Sequence, residues 1–299
     1  MKRRFITLNV FTDRRFAGNP LAMVLDSQGL GSVTMQTIAR EFGHPETVFM
    51  LPAVDPAHKA SMRIFTPASE LPFAGHPTVG AAVGLACLSG DARRQSFVLE
   101  EKVGPVACSA QSHGADSGQA EFRLPRLPEA AGALPDIATM AGALCLAPAD
   151  IAPNSYPASR WSAGIAYSFV PVRSREAIAR AKPDMSKFEK VFGIGGPAMV
   201  CVICTDTVEE GHHLHARMFA PGNGIPEDPA TGSAVAAFAG LHVAHSRPSD
   251  GEHRLVIEQG YEMGRPSLMR LSLTVANGRL VEASIGGNAV IVTEGTIEA

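Results

Sequence analysis

Two stretches place reactive side chains just before small-residue segments: His76 in ELPFAGHPTVGAA and Asp228 in EDPATGSAVAA. A histidine can donate or accept a proton near neutrality. An aspartate can fix that ring's orientation or anchor a substrate amine. If helices begin here, their unpaired N–H groups and positive dipole ends favour an anion or developing negative charge. The chemistry within reach is acid–base work on a small anionic molecule. A plainer reading uses the same residues: Pro-Thr and Thr-Gly-Ser are good capping sequences, Asp228 a dipole partner and His76 a loop histidine. The pattern alone does not separate the two.

Other reactive side chains point elsewhere. Five cysteines, spread from Cys87 to Cys204, form no disulfide framework. Cys201 and Cys204 lie in the strand-like run AMVCVICTD, where residues three apart face opposite sides, so they read as buried thiols. His213 and His215 of GHHLHARMF share a strand face, but no partner with convincing ligand spacing accompanies them. They read as solvated strand histidines rather than metal ligands.

The elements that position these residues occur twice. RIFTPASELP (Arg63 to Pro72) returns as RMFAPGNGIP (Arg217 to Pro226), a constant offset of 154 (217 − 63) in a chain of 299 residues. A single duplication of this size points to two similar domains rather than a solenoid. The order extends beyond the phrase. GNPLAMVLD reads as a strand, TMQTIAREFG as an amphipathic helix with Met35, Ile38, Ala39 and Phe42 inward, and ETVFMLP and SMRIFTP as strands. The second half answers with AYSFVPV, DMSKFEKVFG, AMVCVIC and HARMFAP. Each half then has a helix of small residues, with Gly80, Ala81, Ala82 and Gly84 in one and Ala234, Ala236, Ala237, Ala239 and Gly240 in the other. Such a helix suits enclosure by a sheet, which leaves no room for a polar face. Strand-like stretches follow, FVLEEKVGPVACS and HRLVIEQGYEMGRP. The expected fold is α+β, two pseudo-symmetric domains, each a curled mixed sheet around a central helix. The first spans residues 1–125, with the strand 286–299 a candidate to complete it; the second spans 126–285. Both helix starts are expected to aim at one cleft.

Composition narrows the function classes. Apolar residues make up 45% and charged residues 18%, an ordinary globular mix. A net charge of −3 gives no basis for nucleic-acid binding. The run FITLNVF is broken by TDRR too early for a signal peptide, and no stretch reaches the roughly 20 apolar residues that span a bilayer. A cytoplasmic protein is expected.

FAGNPLAMV, IAREFGHPETVFM, RIFTPASELPFAGHPTVGAA, RMFAPGNGIPEDPATGSAVAAF and EQGYEMGRPS occur in order along nearly the whole chain. Together they resemble the signature segments of the PhzF-like family of phenazine-biosynthesis isomerases, which is similar in fold to diaminopimelate epimerase. The resemblance implies a cofactor-independent isomerase, commonly a homodimer, acting on a small carboxylate-bearing molecule with no metal. It implies Glu46 as proton shuttle, with His76 and Asp228 as catalytic partners. Gly75, Pro77, Thr231, Gly232, Ser233 and Asn19 would hold the substrate. The two cysteines of the epimerase relatives fall on Ala74 and Pro229 here, so a thiol-pair racemase is not expected.

Taken alone, Glu46 reads as a surface carboxylate opening a strand. As a shuttle it needs a pKa near working pH, which a wall such as Val48, Phe49 and Phe73 would supply by desolvation. Family members often carry a serine before this glutamate. Pro45 stands there instead and offers neither hydroxyl nor N–H. Two other readings stay open: epimerase or lyase chemistry in the same cleft, and a non-catalytic small-molecule-binding protein.

Overall fold

A computed structural model describes residues 1–151 and 156–299. In chain order its elements are β1 (Lys2–Val10), β2 (Asn19–Val24), α1 (Ser32–Phe42), β3 (Glu46–Leu51), β4 (Ala60–Phe65), β5 (Glu70–Leu71), α2 (Gly75–Ser89), β6 (Gln95–Glu101), β7 (Gly104–Ser112) and β8 (Ser117–Arg123). There follow β9 (Glu129–Ala130), α3 (Ile137–Ala143), β10 (Ser159–Ser162), β11 (Ala166–Pro171), α4 (Arg175–Arg180), α5 (Phe188–Phe192), β12 (Val200–Cys204) and β13 (Leu214–Ala220). The last are β14 (Ile225–Asp228), α6 (Gly232–Ser246), β15 (Gly251–Gln259), β16 (Ser267–Ala276) and β17 (Arg279–Glu298). The chain divides into two compact units, Met1–Pro125 with Ile285–Ala299, and Arg126–Ser284. Among the described residues no helix is long and apolar enough to cross a membrane.

In the first unit β1 pairs antiparallel with β2, β2 runs parallel to β3, β3 is antiparallel to β4, and β4 is parallel to β6. β6, β7 and β8 form an antiparallel meander, and β17 pairs with both β8 and β1. The eight strands therefore close into a ring, which leaves the sheet no open edge. α2 runs inside it, buried on every face from Gly75 to Gly84. The small residues are a steric need: a Cβ on Gly80 would lie 2.5 Å from Leu21 Cδ2 and 2.8 Å from Val10 Cγ2. α1 covers the outside of the sheet through buried Met35 and Ala39 and partly buried Ile38 and Phe42.

The second unit repeats the pattern. β10 is antiparallel to β9 and β11, β11 parallel to β12, β12 antiparallel to β13, β13 parallel to β15 and β15 antiparallel to β16. α6 is its buried helix, and Gly240 sits where a Cβ would come within 2.5 Å of the Trp161 ring. A second apolar core, including Phe188, Phe192, Val200 and Phe219, packs α3, α4 and α5 against the sheet.

The duplicated phrase has a structural meaning. Arg63 bonds Glu70 at 2.8 Å and lies over the Phe65 ring; Arg217 bonds Glu227 at 2.8 Å and lies over Phe219. Glu100 accepts the N–H groups of Val54 and Asp55 and contacts His58, as Glu258 does with Val208, Glu209 and His212. Each arginine neutralises a carboxylate in its turn, and each glutamate ties a loop to its strand.

Three readings change. FVLEEKVGPVACS is a hairpin that reverses between β6 and β7, and the strand in HRLVIEQGYEMGRP ends at Gln259, because Gly260 adopts φ +79°. DMSKFEKVFG yields only the five-residue α5. His215 is not solvated: it is 1% exposed between Glu258 and Glu262, each 2.9 Å away. His213 is exposed, as expected, and Cys201 and Cys204 are buried.

Candidate active site

The residues singled out by sequence fall into two groups, one in each unit. In the first unit Glu46 opens β3 in register with Leu21 of the parallel β2. His76 is the second residue of α2. Their side chains are 12% and 5% exposed, and Glu46 Oε2 lies 3.4 Å from His76 Nε2. Val48, two residues along β3, is fully buried, whereas Phe49 lies on the other face of the strand in the core beneath α1 and Phe73 packs edge-on against Phe122, so the expected wall around Glu46 is corrected by strand alternation. Asn19 is fully buried at the start of β2, and Gly75 and Pro77 are buried beside His76.

Burial pulls His76 down to about 3, against the opposing effect of a hydrogen bond to the Pro20 carbonyl. The ring is thus neutral at physiological pH, and the expectation that it titrates near neutrality is corrected by its desolvation. Nε2 forms no hydrogen bond, so the proton belongs on Nδ1, facing Pro20, and the Nε2 lone pair looks toward Glu46. Two lone pairs repel at such a separation. The contact is favourable when a proton lies between them, on Glu46 or on a bound molecule.

α2 begins without a side-chain cap, its N-cap being Ala74, so the first N–H groups of a buried helix have no side-chain acceptor. α6 also lacks one, although its N-cap is Thr231. The Thr231 hydroxyl instead donates to Asp228 Oδ2. The capping reading of both helix starts is therefore not realised.

In the second unit Asp228, 7% exposed, ends β14 opposite Met218 of β13. Gln259 fixes the turn that follows: its Nε2 donates to the Asp228 carbonyl at 2.7 Å, and its Oε1 accepts from Thr231 N at 3.2 Å. Ser233 Oγ is 2.7 Å from the Tyr167 hydroxyl, and Gly232 is buried between. Sequence reasoning missed Gln259 and Tyr167. The duplication could have found Gln259 only by allowing four extra residues, since it stands 158 after Glu101 (259 − 101) rather than 154. Tyr167 left no such signal. Among the described residues no cluster of three or more metal-ligating side chains is present.

The family model described as phenazine biosynthesis-like protein matches residues 8–295. An uncharacterized isomerase of Mesorhizobium japonicum is 46% identical over 99% of this chain and 98% of its own. The trans-2,3-dihydro-3-hydroxyanthranilate isomerase of Pseudomonas chlororaphis is 30% identical over 98% of each. Among solved structures, a PhzF-family phenazine biosynthesis protein of Bacillus anthracis superposes with a TM-score of 0.90 at 27% identity, covering 100% of both chains.

Proposed function

Because the chain belongs to the phenazine biosynthesis-like family and is an isomerase like its relatives, we propose that Glu46 moves a proton between two carbons of a small unsaturated carboxylate. The ionised glutamate takes a proton from a saturated carbon, the C–H electron pair forms a new double bond to the neighbouring carbon, and the electrons of the old double bond move to the far carbon. Glu46 then delivers a proton to the far carbon, after its carboxyl proton has exchanged with solvent, so charge and atoms balance. One mobile group serves both steps.

The observation that carries this reading is the approach of Glu46 to the neutral ring of His76. Between the two half-reactions Glu46 is protonated, and the His76 Nε2 lone pair can accept a hydrogen bond from it, which stabilises the uncharged acid until it delivers its proton. The uncapped start of α2 offers N–H groups and a positive dipole end to the substrate carboxylate or to charge developing on it. In this proposal Asn19, Gly75 and Pro77 shape the pocket beside the shuttle. Pro45, lacking a hydroxyl, points to a substrate different from the phenazine precursor.

Incubation in deuterated water tests the proposal. Trans-2,3-dihydro-3-hydroxyanthranilate and a metabolite extract are each supplied and followed by mass spectrometry. The proposal expects a carboxylate that changes isomer and gains a single deuterium only with the protein present. Isomerisation with no deuterium uptake by product or recovered substrate, under conditions where a glutamate proton exchanges with solvent, would count against it.

A further inference from the structure

Beneath the start of α2 lies a carboxyl group that the reaction does not use. Glu101, the last residue of β6, is 8% exposed, and among the described residues no cation pairs with it. Its Oε1 is 2.8 Å from the Thr78 hydroxyl, and its Oε2 is buried without a hydrogen bond. The same hydroxyl is 2.8 Å from the Ala74 carbonyl. A hydroxyl has one hydrogen, and a carbonyl oxygen can only accept. If Thr78 donates to Ala74, the contact with Glu101 needs a second hydrogen, and only the carboxyl can supply it.

The duplication leads to the same assignment. Glu100 and Glu258 are counterparts, each gripping a loop, and the next residues are Glu101 and Gln259. Gln259 braces the start of α6 through a neutral side chain that both donates and accepts. A protonated glutamate has the same capability at the start of α2, and an ionised one does not.

We propose that Glu101 is an uncharged carboxylic acid that donates to Thr78 and so sets the first turn of α2, making it a positioning residue for His76. Burial is consistent with this, pushing the carboxyl up to about 8. The titratable groups around it do not supply a counter-charge. Cys108 of β7 has its thiol raised by burial and by Glu101, and His76 on α2 is neutral. Glu100 is engaged with His58, and Lys102 with Glu70. The inference rests on the proposed role of His76 only for its consequence; its test needs no substrate.

Thermal denaturation of the unmutated protein and of Glu101→Gln is compared from about pH 5 to about pH 9. A carboxyl raised in the folded state stabilises fully below its unfolded value and loses that contribution as pH rises to about 8. The midpoint of E101Q should therefore gain on the unmutated protein across this range. A constant difference, or one that moves the other way, overturns the proposal. In glutamate-labelled unmutated protein, carbon NMR should show one carboxyl still protonated at neutral pH, and the His76 ring signals should shift with the same midpoint. All glutamates ionised at neutral pH would overturn it whether or not the variant folds.

Discussion

A histidine that cannot hold a second proton is still useful beside an acid that can. Its burial pulls it to about 3, so His76 ring signals should show no protonation step of their own between about pH 5 and about pH 8. A ring titrating near its ordinary value would contradict the neutral-acceptor role. On the proposed function, His76→Ala should weaken substrate binding as well as turnover, read as a rise in KM with a fall in kcat. At this scale the sequence singled out His76 and Asp228 through their motifs, and Glu46 only through the family resemblance. It did not disclose that His76 is neutral, since desolvation depends on strands β1 and β2 closing over α2. Tyr167 stayed hidden because it meets Ser233 across 66 residues of chain.

Elements hold these side chains by close backbone approach. Gly260 adopts φ +79°, and a Cβ there would come within 2.6 Å of the Pro229 carbonyl and 2.5 Å of that of Arg265. Gly260→Ala should therefore cost about 1–3 kcal/mol in denaturant unfolding, since neither backbone atom can yield like a flexible side chain. It should also disturb the turn carrying Asp228, and unchanged stability would refute this account. The duplicated phrase made the strands flanking each buried helix legible, and the Ala and Gly composition made the enclosure of the helices legible. The hairpin within FVLEEKVGPVACS was not, because a strand's run of apolar residues does not mark a reversal without a strong turn sequence. The shortening of α5 was also hidden, since one helix, α1, covers the corresponding core in the first unit, whereas α3, α4 and α5 share that cover in the second.

For the whole molecule, buried titratable groups oppose each other across the pH scale. His76 and His242 are buried neutral at about 3 and about 4, so the unfolded chain takes up protons as pH falls below the ordinary histidine value of 6.5, and stability drops. His215 is raised to about 9 between Glu258 and Glu262, so its contribution is complete below 6.5 and lost as pH rises through about 9. Glu101 adds a loss up to about 8. Thermal stability should therefore peak at about pH 6.5, with a shallower alkaline decline in His215→Gln; stability rising steadily to pH 9 would contradict this. The closure of the first sheet by β17 joins the two ends of the chain, a long-range pairing that sequence periodicity records only as a final strand. The proposed function needs one glutamate held where it can carry hydrogen. The most direct test is to compare Glu46→Gln with the unmutated protein for deuterium incorporation into a substrate identified in the screen. The account predicts a rate lower by about 10²–10⁴-fold with the thermal midpoint preserved; equal rates in the two proteins would contradict it.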